Sequence, residues 1–166
     1  MPTIKKFWAE MTELNTHVIY IDACLQHINS KIKWLNATLA FASCGAVAGW
    51  MINNGAFAYW SVIIVISQTV SALRPHLFNW EKDAWSMKLA SSELHSAFIS
   101  MENDWYAVSN GMLEDKEIHD LWLSYKKQVE RIVGSHLNSS LLNVKFWNDS
   151  FSKSEYYFNR YYKTGD

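Results

Sequence analysis

WLNATLAFASCGAVAGWMINNGAFAYWSVIIVISQTVSAL, residues 34–73, holds no Asp, Glu, Lys, Arg or His, in a chain where those first four types make up 19% of 166 residues. The segment is interrupted once, at Asn53-Asn54-Gly55, residue types that tolerate the positive φ of a tight turn. Crossing a bilayer core takes ~20 apolar residues in a helix, so this stretch is long enough for two passes. The expectation is an all-α membrane protein: a two-span transmembrane hairpin, with spans at about 34–52 and 56–73, joined to a helical bundle outside the bilayer.

The bulk properties conceal that segment. Mean hydropathy is -0.13 and the isoelectric point about 6.6, because an apolar middle is averaged with two polar flanks. A net charge of -1 offers no basic surface for the phosphate backbone, so direct nucleic-acid binding is not expected. Residues after Lys5 and Lys6 are polar where a signal peptide would be apolar, so the hairpin is expected to be the insertion signal. Lys31 and Lys33 precede the first span and Arg74, Lys82 and Lys88 follow the second, while the turn carries no cation. The positive-inside rule then puts both termini in the cytoplasm and the protein, as a multi-pass chain, in the bacterial inner membrane. Trp34, Trp50, Tyr59, Trp60 and Trp80 sit near the ends of the spans, as interfacial aromatics do.

Outward from the hairpin, three regions follow: an amphipathic helix over 1–33, the hairpin over 34–73, and a helical, aromatic-rich region over 74–166. Ile4, Phe7, Met11, Leu14, Val18, Ile21, Leu25, Ile28 and Ile32 alternate spacings of three and four, a heptad stripe. It continues without a breaker through Leu35, Leu39 and Ala42, predicting one helix from about residue 4 to residue 52. Pro75 is expected to stop or kink the second span. Met87, Leu94, Phe98, Met101, Trp105 and Val108 mark a further helix ended by Asn110-Gly111. Another starts near Asp115 and carries Ile118, Trp122, Tyr125, Val129, Ile132 and His136. Residues 141–166 hold eight aromatics, which predict a final helix or an aromatic tail that packs on the bundle or docks a partner.

Within the spans, Gly45 and Gly49 form a GxxxG stripe extended by Thr38 and Ala42. Small residues allow close backbone approach, which serves either self-association into a homo-oligomer or packing against the chain's own second span. Ser61 and Gln68 share a face of the second span and are the candidate pore-lining or inter-subunit polar residues. The alternative for the hydroxyls is bonding to carbonyls of their own helix.

No catalytic, cofactor-binding or metal-binding residue is assigned. The motifs G-x-x-x-x-G-K-[ST], G-x-G-x-x-G and G-x-S-x-G are absent, and the six histidines show no ligand spacing. Asp104 with Glu102, and Glu114 with Asp115, read as solvated helix faces and caps. Cys24 and Cys44 read as small apolar residues rather than a disulfide or a metal site. The chain is therefore not expected to be an enzyme.

A long N-terminal helix, a tight two-span hairpin and a helical remainder together resemble the two-transmembrane effectors of bacterial anti-phage defence. That class includes the effectors encoded beside retron reverse transcriptases and the two-span domains attached to nucleotide-signalling operons. The resemblance covers most of the chain and carries architecture, not site residues. It implies an abortive-infection toxin that permeabilises the bilayer when triggered. Its restraint would come from a reverse transcriptase with its RNA–DNA hybrid or from another defence-operon protein. The alternative is a non-conducting membrane anchor that holds a partner complex.

Overall fold

The computed structural model describes residues 2–42, 57–77, 80–136 and 144–162. Among them are five helices and no strand: α1 (Pro2–Ala42), α2 (Phe57–Leu77), α3 (Trp80–Ser109), α4 (Asp115–His136) and α5 (Val144–Tyr161). They fall into two compact units, residues 1–26 with 85–166, and residues 27–84.

The heptad stripe of α1 organises the first unit. Phe7, Met11, Leu14, Val18 and Ile21 are buried, because alternating steps of three and four keep them on one side of a 3.6-residue turn. They meet a matching stripe on α3, where Met87, Ala90, Leu94, Ala97, Phe98, Met101 and Val108 are buried. The two helices run antiparallel. Phe7 stacks on Trp105 with ring centroids 6.1 Å apart, and the Ser91 hydroxyl donates to Asp22 Oδ1 at 2.6 Å. Helix α4 lies along one flank, burying Ile118, Tyr125 and Ile132, with the Tyr125 ring edge-on to Phe7. Helix α5 lies along the other flank, with Trp8 edge-on to Phe158 at 5.0 Å and Trp147 edge-on to Tyr20 at 5.5 Å.

The ends of these helices follow from local chemistry. Gly111 has φ +66°. The Met112 N–H donates to the Ala107 carbonyl at 3.0 Å and the Gly111 N–H to the Val108 carbonyl at 3.3 Å, the paired bonds of a Schellman cap. Helix α4 starts with the Glu114 N–H donating back to Glu117 Oε2 at 2.8 Å, the reach-back half of a capping box. Helix α2 continues through Pro75 to Leu77 rather than stopping before it.

The expected all-α membrane protein with a two-span transmembrane hairpin is corrected here: the described residues form helices and no strand, but no described helix is long and apolar enough to cross a membrane. The placement as a multi-pass inner-membrane protein with both termini cytoplasmic falls with it. Of the charge-free stretch, the described residues are 34–42 in α1 and 57–73 in α2. In α2 the apolar run is diluted by Ser61, Ser67, Gln68, Thr69 and Ser71 and ends at Arg74. Gly45, Gly49 and the Asn53-Asn54-Gly55 turn lie outside the described residues.

Candidate functional site

Two features stand out, one in each unit. In the second unit, α2 exposes a run of apolar side chains in its first half. Ser61, Ile64, Ser67 and Val70 are the half-buried positions, spaced three apart. Val62, Val65 and Ile66 are 57%, 64% and 57% exposed, and Tyr59, Ile63 and Leu73 are exposed beside them. From Val62 to Ile66 the exposed side chains are apolar; further along, Gln68, Thr69 and Ser71 are exposed as well, and the half-buried positions hold two hydroxyls and two apolar side chains. These helices need no water for their hydroxyls: Ser67 donates to the Ile64 carbonyl at 2.9 Å, Thr69 to the Val65 carbonyl at 2.8 Å and Thr38 to the Trp34 carbonyl at 2.9 Å. Bonding of this kind satisfies the Ser67 and Thr69 hydroxyls within their own helix.

The expected site residues sort as follows. Ala42 is half-buried at the end of α1 and Ser61 half-buried near the start of α2. Gln68 is exposed and lines a cleft of about 190 Å³ with Leu39, Ala40, Ser67 and Ser71. The end of α1 and the middle of α2 therefore share a cleft, with Gln68 as its amide. Gly45 and Gly49 cannot be placed beside Ala42, since they fall outside the described residues. At the other end of this unit Lys31 Nζ lies 6.0 Å from the Trp80 ring centroid, a cation–π distance.

In the first unit, polar side chains bridge the helices. Glu102 Oε1 on α3 accepts from the hydroxyls of both Tyr157 and Tyr162, each at 2.6 Å. Asp104 Oδ2 accepts from Tyr125 on α4 at 2.7 Å. Glu10 Oε2 on α1 accepts from Trp122 Nε1 at 3.2 Å. The reading of Glu102 and Asp104 as solvated faces is therefore wrong. Two positions apart on a helix they diverge, and each takes a phenol from a different neighbouring helix.

Burial, reinforced by the Glu102 carboxylate, pushes the Tyr157 hydroxyl up to about 12. Tyr162 is pushed up by the same causes, and Tyr125 by burial and then by Asp104. Neutral phenols at ordinary pH donate hydrogen bonds; they are not poised as bases or nucleophiles. Glu10 is raised by burial, an effect opposed by its bond from Trp122. Burial also raises the Cys24 thiol, which keeps it protonated and unreactive. Among the described residues no group of three His, Cys, Asp or Glu side chains converges to hold a metal ion. His136 Nε2 lies 3.3 Å from Glu93 Oε1, and His17 Nδ1 lies 2.9 Å from the Glu13 carbonyl.

Nothing in the sequence spacing points to the bonds of Tyr157 and Tyr162 to Glu102, or to that of Asn15 Nδ2 to Ser154 Oγ at 3.1 Å. Asn15 and Thr16 beside stripe residue Leu14 are the one sequence signal for a polar seam, and nothing in the spacing names their partner. Comparison with protein-family models, curated proteins and solved structures yields no match.

Proposed function

We propose that the chain is a non-enzymatic effector that acts at a lipid surface through the apolar outward side of α2. The carrying observation is the run of exposed apolar side chains Val62, Ile63, Val65 and Ile66, in a stretch with no charge from Tyr59 to Leu73. Apolar side chains on the outside and hydroxyls bonded to their own backbone are what an acyl-chain environment requires. Contact of this kind engages the outer part of a lipid layer and needs no crossing helix. In this reading several copies associate on the lipid, and their apolar faces perturb the barrier when a trigger arrives. The anti-phage setting is carried by the architectural resemblance alone. So is restraint by a reverse transcriptase with its RNA–DNA hybrid or by another defence-operon protein.

The test is dye release from vesicles of bacterial lipid composition. The full chain is expected to release trapped dye, and Val62→Glu with Ile66→Glu to reduce release about tenfold or more, since each charge must be kept out of hydrocarbon. Binding to vesicles without release would favour the adaptor role over the effector role. Undiminished release by the double variant would refute the assignment to α2.

A further inference from the structure

Helix α5 is held differently from its neighbours. Its buried side chains among the described residues are Ser150, Ser154 and Phe158, at i, i+4 and i+8. Helix α3 by contrast buries Met87, Leu94, Phe98, Met101 and Val108, and α4 buries Ile118, Tyr125 and Ile132. The buried polar residues Asn15, Thr16, Ser150 and Ser154 all lie on α1 and α5. Asn15 Nδ2 donates to Ser154 Oγ at 3.1 Å, and Ser154 Oγ lies 3.1 Å from the Thr12 carbonyl as its donor. The same carbonyl accepts from Thr16 at 2.9 Å. Ser150 Oγ is buried and meets no hydrogen-bond partner among the described residues. At the rim, half-buried Tyr157 and Tyr162 share Glu102.

Polar contacts of this kind are re-made with water when two surfaces part, so each adds little net stability, and a buried hydroxyl without a partner subtracts from it. Apolar burial is lost in proportion to its area. Parting α5 gives up the ring contacts of Trp147, Tyr157 and Phe158 with α1 and α3, but among the described residues Phe158 is its one buried apolar side chain, fewer than in α3 or α4. We propose that α5 is a releasable strap: it leaves the groove between α1 and α3 as a unit while α1, α3 and α4 stay packed. Release uncovers Trp8 and Phe98, which Phe158 covers at centroid distances of 5.0 and 6.3 Å. The uncovered face is an aromatic groove with the Thr12 carbonyl and Asn15 amide beside it, and α5 is its internal ligand. Sub-global opening of one helix is the general form of such motion.

Hydrogen exchange of backbone amides in the full chain, read segment by segment by mass spectrometry, tests this. Residues 146–158 are expected to exchange at least about tenfold faster than residues 90–101. Tyr157→Phe with Tyr162→Phe should speed exchange of α5 several-fold and leave α3 and α4 unchanged. Ser150→Ala, which removes the unsatisfied hydroxyl, should slow α5 by about fivefold. Exchange of α5 in step with α3 and α4 would overturn the proposal, as would variants that change all helices equally.

Discussion

Asn15 is buried in the polar seam between α1 and α5, beside Thr16, and its Nδ2 reaches Ser154 Oγ at 3.1 Å. Replacing Asn15 with Ala leaves that seam short of a donor, with an expected cost of about 1 kcal/mol in denaturant unfolding. Leu94 is wholly buried between the heptad stripes; Leu94→Ala should cost about 3 kcal/mol by the same measurement, since the packed helices close only partly over the gap. Gly111 tests a different cause. A Cβ there would meet nothing within 4 Å, so Gly111→Ala is penalised only by its positive φ, at about 1 kcal/mol. At this scale the sequence is informative where geometry is periodic or punctuated. The stripe from Phe7 to Ile21 and the stop at Asn110-Gly111 are both legible. The partner of Asn15 lies 139 positions away, and no local signal points to it.

Among elements, α5 and α2 depart furthest from what their sequences suggest. The aromatic count over 141–166 announces packing but not the carboxylate that organises it. Glu102 receives Tyr157 and Tyr162 as neutral donors, so the contact depends on pH in a definite direction. Their folded-state pKa values lie above the ordinary tyrosine value of ~10. The stabilisation is therefore fully present below pH ~10 and is lost as pH rises through about 12, the folded value for Tyr157. Alkaline titration followed by phenolate absorbance should show tyrosines ionising late, and Glu102→Gln should bring them back toward their ordinary value. An unchanged titration in that variant would remove Glu102 as a cause.

For α2, the absence of charge over residues 34–73 is plain in the sequence, and it suggested two crossings. The described helices hold residues 34–42 of that stretch in α1 and 57–73 in a hydroxyl-rich α2, and no described helix is long and apolar enough to cross. Absence of charge is a property of the stretch, whereas crossing is a property of each helix separately.

At the scale of the whole molecule, two kinds of surface belong to two units. One is a helical bundle in which Glu10, Glu102 and Asp104 are engaged by tryptophan and tyrosine. The other presents Val62, Ile63, Val65 and Ile66 outward, with Gln68, Thr69 and Ser71 exposed further along. All-helical architecture was readable from periodicity. The polarity of α2 was not, because a run such as Val62-Ile63-Ile64-Val65-Ile66 is apolar on every side. The half-buried positions 61, 64, 67 and 70 mark the inward side, and they hold two hydroxyls and two apolar side chains. The central claim is that this outward face contacts lipid.

It is tested most directly by nitroxide labels placed singly at residues 61, 62, 65, 66 and 67 of the full chain, with Cys24 and Cys44 replaced by Ala, in the presence of vesicles. Relaxation by oxygen, which concentrates in acyl chains, is compared with relaxation by a water-soluble nickel chelate. The account predicts that oxygen dominates at 62, 65 and 66 and that labels at 61 and 67 are shielded from both. Nickel accessibility at 62, 65 and 66 equal to that of an exposed bundle position such as 120 would contradict it.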